Sequence, residues 1–376
     1  MASVPVFRKK VSRRKFIQAL GLFSILGIGN FGLFGCANPN QAESETLEGP
    51  GLGQLARSKG RQYGVAAQSW QLEEQDYAEV IRVEASMLVP ENELKWYKLR
   101  PAQNAFDFTG YRRLAAFAQA NDMAMRGHVL VWYTGNPDWL TPALARRDAA
   151  MPILKRHIDT VIAETSSLIR NWDVVNEAID PESSRSDGLR ESPWLTALGP
   201  EYMPLAFKLA YAADPGLTLA YNDYGLEQEG SPANFKRTAT LRVLEWCLKN
   251  NAPIHTLGLQ SHLQAHRPLA AKEFLAFLRE IRGMGLKVSI TELDLDVSRL
   301  SGPMKERVEV AQNYVRVYLD FVQLDAPVDM LLTWGLSDRY TWLREQNPNI
   351  AGALPLDRNF RRGPMWDTLE EAWLGV

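Results

Sequence analysis

Eight short runs of β-branched and apolar residues recur along this chain, each followed by a longer stretch with helical spacing. That alternation limits the folds open to it more than any other feature. The runs are RQYGVAA, ASMLVP, MRGHVLVWY, RNWDVVN, LTLAYN, HTLGLQ, KVSIT and MLLTWG, the first starting at Arg61 and the last ending at Gly335. Between them lie amphipathic segments such as YRRLAAFAQAND and LAAKEFLAFLREIRGMG. Strand–helix alternation predicts an α/β protein with a parallel sheet, because parallel neighbours need a crossover. Eight such units between residues 56 and 376 predict a closed (β/α)8 TIM barrel, a single domain behind an N-terminal signal segment. No Gly-rich phosphate loop follows the first run, so an open dinucleotide-binding sheet has no support.

Nearly every run ends in polar or aromatic residues. PENELKW follows from the second, the fourth closes on Asn176 and Glu177, the fifth on NDY, the sixth on QSH, the seventh on TELD and the eighth on WGLSD. In a parallel barrel these ends meet at the C-terminal face, where such folds carry their chemistry. One acid at a strand end is as easily a cap on the next helix. Polar ends repeated in one register are not explained that way. The apolar run builds the wall, and the acid projects from the rim.

Two facing carboxylates are the minimal equipment for glycoside hydrolysis. One must be protonated, to donate to the leaving oxygen; the other must be ionised, to attack or to activate water. Glu292 has Asp294 two residues on, and His262 closes the adjoining run. An imidazole held by Asp294 can donate to Glu292 and keep it ionised. Glu177 has no basic neighbour in sequence, and apolar surroundings raise a carboxyl pKa, which suits an acid/base. Asn176 offers a carboxamide to the hydroxyl beside the reacting carbon. Trp96, Trp132, Trp334 and Trp342 fall at or just after run ends, where indoles pack on the C–H faces of sugars; the plainer reading is that they fill the barrel top.

WDVVNE, ITELDL, PENELKW, RGHVLVW, GLQSHL and WGLSDRYTW together resemble glycoside hydrolase family 10, the retaining endo-β-1,4-xylanases, in order over about residues 60–370. The resemblance implies cleavage of internal β-1,4-xylosidic bonds of xylan or xylo-oligosaccharides by double displacement. Glu177 would be the acid/base and Glu292 the nucleophile, their carboxyl groups about 5–5.5 Å apart. It also implies that Glu91, Asn92 and Lys95 meet the xylose two sites from the cleavage point on the non-reducing side. His128, Trp132, Asn176, Gln260 and His262 would surround the xylose at the cleavage point. Trp334 and Trp342 would wall the glycone side, Tyr224 would be an aglycone platform, and Asp294 would orient His262. Neither a metal nor an organic cofactor is implied.

One stretch departs from the family. Where the family continues His-x-Gln after GHVLVW, this chain has Tyr133, Thr134 and Gly135. The missing glutamine removes one hydrogen bond on the glycone side, about 1 kcal/mol, and restoring Gln at position 135 is expected to recover it. Two other functions compete. A barrel acting on β-glucan or mannan is opposed by Asn92 and Lys95, which suit a sugar lacking a C6 group. A sugar-binding lipoprotein with a dead site would have lost one of the two acids.

The first 36 residues read as an address. They carry six Lys/Arg and no acid, with Arg13 and Arg14 ahead of an uncharged, glycine-rich stretch from Phe16 to Gly35. This is the pattern of an export signal, and SRRKFIQ resembles a twin-arginine signal. LFGC, ending at Cys36, resembles a lipobox that would lipidate that cysteine and tether the protein to a membrane. Cleavage after Ala37 and an uncleaved anchor are the alternatives. Residues 37–55 read as a flexible linker and 56–376 as the catalytic domain. The expected location is the periplasm or cell surface as a lipoprotein, or outside the cell. Without the leader, 36 basic residues face 44 acidic ones, a net charge of −8 that argues against a nucleic-acid partner. Cys36 and Cys247 are the only cysteines, so neither a disulfide framework nor a Cys/His metal site is expected, and Cys247 reads as a buried small hydrophobe. His255, His262 and His266 are spaced too loosely for zinc. Nothing calls for a partner chain, so a monomer is expected.

Overall fold

The computed structural model describes residues 49–375 apart from Ser184. Each of the eight runs forms a strand. In chain order the strands are β1 (Gln62–Ala67), β2 (Met87–Pro90), β3 (Ala124–Val131), β4 (Ile169–Asn176), β5 (Thr218–Asp223), β6 (Thr256–Leu259), β7 (His262–Gln264), β8 (Lys287–Asp296) and β9 (Met330–Thr333). All pairings are parallel, and β6 pairs β8 while β9 pairs β1, so eight strands close into a barrel. The short β7 lies outside the ring and pairs with the top of β8, His262 opposite Asp294.

The strands are covered on both faces, which is why they read as near-continuous apolar runs rather than alternating ones. β2, β6 and β9 are buried throughout. Ala66, Met87, Val89, Met330 and Leu332, from three adjacent strands, cluster with Trp334. Tyr63, Val65, Ala67 and Leu88 of the same strands join the larger core beneath the helices. The helix Ala271–Gly283 shows how that layer is built. It buries Phe274, Phe277, Leu278 and Ile281, one face at i, i+3, i+4 and i+7. Each such side chain contributes about 2 kcal/mol by leaving water.

The expected linker, 37–55, does not extend to residue 55. Residues 37–48, like the leader and Cys36, lie outside the described residues. Leu52–Ser58 is a helix with Leu52 and Ala56 fully buried. The Leu52 amide donates to Glu84 Oε2 at 3.0 Å, and the Trp366 indole donates to the same oxygen at 2.8 Å. A wholly buried acid therefore joins the start of the barrel to its end. GLGQ looked like linker because its glycines and glutamine hide how few residues a short capping helix needs to bury. Among the described residues, no helix is long and apolar enough to cross a membrane.

Candidate active site

A cleft of about 750 Å³ opens on the C-terminal face of the barrel, and both Glu177 and Glu292 line it. Glu177 follows the last residue of β4, in the left-handed region at φ +56°. Its amide donates to the Asn222 carbonyl at 2.9 Å, and its own carbonyl accepts from Arg190 Nε at 2.9 Å. Glu292 stands inside β8, where the pairing of β8 with β9 shifts register between Ile290 and Leu293. The backbone thus fixes both acids before any side chain is considered.

Below the two carboxylates runs a chain of amides. Asn222, wholly buried, donates through Nδ2 to Glu292 Oε1 at 2.7 Å and to Asn176 Oδ1 at 2.9 Å, and accepts from the Thr291 hydroxyl at 2.7 Å. Gln260 donates through Nε2 to the same Asn176 oxygen at 3.0 Å and to Glu177 Oε1 at 2.9 Å, and Asn176 Nδ2 donates to that carboxyl at 3.0 Å. A Cβ on Gly258 would fall 2.1 Å from Asn222 Oδ1, so only glycine fits beneath this amide.

On the far side of Glu292, His262 Nε2 lies 3.2 Å from Oε2 and Nδ1 lies 3.0 Å from Asp294 Oδ1. Trp342 Nε1 donates to the other Asp294 oxygen at 2.6 Å. His128 Nδ1 lies 3.1 Å from Asp173 Oδ2 and 3.8 Å from Glu292 Oε1, and Arg126 Nη2 meets Asp173 at 2.5 Å. His128, Asp173 and Glu292 bring ligand-type atoms within 4.8 Å of one another. The Arg126 guanidinium already neutralises Asp173 there and opposes a cation.

These surroundings drive the two acids apart. Burial pushes the Glu177 carboxyl up, and the Gln260 hydrogen bond only partly offsets it. Burial also pushes Glu292 up, but His128 and the bond from His262 outweigh it, and the net shift is downward. His262 is held well above the ordinary imidazole range: burial works against the charge, and Asp294 and Glu292 together prevail. One carboxyl is shifted toward the proton-bearing form and the other toward the anion, the division of labour that acid-assisted displacement needs.

The cleft gathers Glu91, Lys95, His128, Trp132, Tyr224, Gln260, His262, Trp334 and Trp342 around the acids. Lys95 Nζ lies over the Trp132 ring at 5.0 Å and donates to Asn92 Oδ1 at 3.1 Å. Asn92 is therefore behind the lysine rather than on the wall. Asn176 and Asp294 are buried beneath residues that face the cleft. Trp96 departs from the sequence reading: it is a core residue, stacked on the buried His157 ring at 3.6 Å. Cys247 is buried, and burial pushes its thiol up to about 12.

Sequence reasoning passed over Asn222, the Arg126–Asp173 pair, Arg190 and the Lys236–Asp223 ion pair at 2.7 Å. The NDY closing the fifth run was a signal for Asn222. Arg190 gave none, since it lies in a loop of no periodicity. Its guanidinium rests 4.5 Å from the Tyr133 ring and donates to the Tyr224 hydroxyl at 2.8 Å. Tyr133 is thus a plate beneath Arg190. Gly135 sits at φ +66°, with the site of a Cβ 3.2 Å from the Trp132 ring. Glutamine at 135 would have to adopt this left-handed backbone, which is strained for it.

A closed parallel barrel whose rim holds two buried carboxyls of opposed proton affinity, walled by indoles, is a glycoside hydrolase. The profile of Glycosyl hydrolase family 10 matches residues 51–372. Endo-1,4-beta-xylanase B of Thermotoga neapolitana is 31% identical over 80% of this chain and 85% of its own length. Endo-1,4-beta-xylanase 1 of Humicola insolens is 32% identical over 76% of this chain and 65% of its own. The crystal structure of native xylanase 10B from Thermotoga maritima superposes with a TM-score of 0.77 at 31% identity, covering 86% of this chain and 98% of that one. The chain belongs to glycosyl hydrolase family 10.

Proposed function

We propose that this protein is an endo-1,4-β-xylanase working by double displacement with retention. The observation that carries the proposal is the placement of Glu177 and Glu292 in one cleft, Glu292 held by His262 and Asn222 and Glu177 by Gln260 and Asn176. Its substrate class is supported by relatives named endo-1,4-beta-xylanases, and by a similar structure, xylanase 10B from Thermotoga petrophila, described in complex with xylobiose.

In the first step Glu292 attacks the anomeric carbon while Glu177 gives its proton to the departing glycosidic oxygen. The bond between xylose units breaks, and a xylosyl ester on Glu292 takes its place. In the second step Glu177, now ionised, takes a proton from water as that water attacks the same carbon, which frees Glu292 and restores the acid. His262 and Asn222 hold Glu292 through both steps, Asp294 orients His262, and Gln260 and Asn176 hold Glu177. Glu91 and Lys95, braced by Asn92, bind the glycone with Trp132, Trp334 and Trp342; Tyr224 carries the aglycone. We assign the twin-arginine leader, a lipid on Cys36 and a tether through residue 48 from the sequence pattern, giving an exported, membrane-tethered monomer. Losing export in a double Arg13→Lys, Arg14→Lys variant, and membrane attachment in Cys36→Ala, would be read by cell fractionation.

The deciding experiment is reducing-sugar release from glucuronoxylan, mixed-linkage β-glucan and mannan by the wild type, Glu177→Ala and Glu292→Ala. Xylan cleavage lost in both variants is expected. Cleavage of β-glucan or mannan alone would discard the substrate and keep the mechanism. No release from any polymer would leave a sugar-binding protein.

A further inference from the structure

Arg267 lies on the cleft wall, and its side chain makes no hydrogen bond or ion pair with any described residue. The other cations of this wall are engaged. Arg190 is spent on the Glu177 carbonyl, Asp180 and Tyr224, and Lys236 on Asp223. The segment bearing Arg267 is anchored on both sides. The Ala265 amide donates to Asp296 O at 3.1 Å and the Arg267 amide to Gln264 O at 2.9 Å. The Glu229 amide donates to Pro268 O at 3.0 Å, the Ala270 amide to Glu227 O at 2.9 Å, and Gln228 bridges Leu269. The backbone around Arg267 is thus held by hydrogen bonds on both sides, beside the loop that carries Tyr224, Gly225 and Gln228, and its side chain lines the cleft.

Five N–H donors in a planar fork, with no acceptor, match a carboxylate better than they match sugar hydroxyls. The xylose backbone carries no charge. The carboxylates on such a polymer belong to uronic acid side groups. We infer that Arg267 recognises the carboxylate of a uronic acid substituent on the chain being cleaved, on the aglycone side shared with Tyr224. This deepens the xylanase reading and rests on it. It makes Arg267 a specificity residue: acid-bearing chains are drawn into one register, and the bond cut is set by where the substituent lies.

The test compares the purified wild type, Arg267→Ala and Arg267→Lys on three probes. These are linear xylohexaose, glucuronoxylan, and the same glucuronoxylan with its carboxyl groups chemically reduced to alcohols. For Arg267→Ala the KM on glucuronoxylan should rise about tenfold, the scale of a charge-assisted hydrogen-bonded pair. Arg267→Lys should lose less. Both variants should match the wild type on xylohexaose and on the reduced polymer, and the wild type should prefer the acidic polymer to the reduced one. An equal loss on all three probes, or no change on any, would overturn the inference while leaving the xylanase reading intact. A wild type inert on xylohexaose would overturn that reading itself, and this one with it.

Discussion

Replacing Asn222 with aspartate exchanges one amide nitrogen for oxygen at a wholly buried position and keeps the side-chain shape. The nitrogen removed is the one that donates to Glu292 Oε1 at 2.7 Å. A hydrogen bond to a charged group contributes about 1.5–3 kcal/mol, so its loss lowers kcat/KM by about 10- to 150-fold. A second effect follows from charge. Two carboxylates facing each other at that separation repel by about 6 kcal/mol even at an effective dielectric constant of 20. The pair escapes by sharing a proton, and its upper apparent pKa rises, by about two units or more. Activity needs Glu292 ionised, so the acid limb of the kcat/KM profile must move upward. Asn222→Ala is the companion: it removes the donor without adding charge, and its limb should move less. Both are assayed on xylohexaose across the pH range, with thermal melting to confirm folding. A folded Asn222→Asp whose acid limb stays in place, and whose kcat/KM stays within about threefold of the wild type, would refute the role given to Asn222.

Three further outcomes are expected. The pH profile is a bell, rising as Glu292 ionises below the ordinary glutamate range and falling as Glu177 deprotonates above it; on a substrate with an activated leaving group, Glu177→Gln should lose the falling limb of the glycosylation step. Gly135→Gln should destabilise by about 1–2 kcal/mol in denaturant titration, because an L-residue is forced to a left-handed backbone, and KM should not improve. Leu52→Ala should cost about 2–5 kcal/mol of stability, read as a lower Tm with kcat near the wild type, since Leu52 is fully buried outside the cleft.

The barrel was legible because its strands are buried on both faces. β-Branched runs such as KVSIT admit few other readings once eight apolar runs alternate with helices. Glu177 and Glu292 were legible because polar residues at the ends of apolar runs are costly unless a rim awaits them. Asn222 has the same position, but one amide among many polar strand ends does not announce which carboxylate it will touch. Trp96 was misplaced for a related reason: being near a strand end in sequence does not tell whether the ring turns toward the cleft or back onto His157. The helix at Leu52 was hidden by its shortness, since two buried side chains leave no periodicity to read. The posture of Gly135 was invisible, because the sign of φ is set by the loop and not by its composition.

The frame joining the acids is made of carboxamides, and carboxamides do not titrate. Over one catalytic cycle Glu177 gives up a proton and recovers it, and Glu292 goes from anion to neutral ester and back. Asn222, Asn176 and Gln260 keep their protons throughout. The ruler that sets the spacing of the two reacting groups is thus blind to the charge it measures across. The same frame of amides serves both half-reactions. Activity lost on acidification within the folded range should therefore return at once on neutralisation, because only a charge has to be restored.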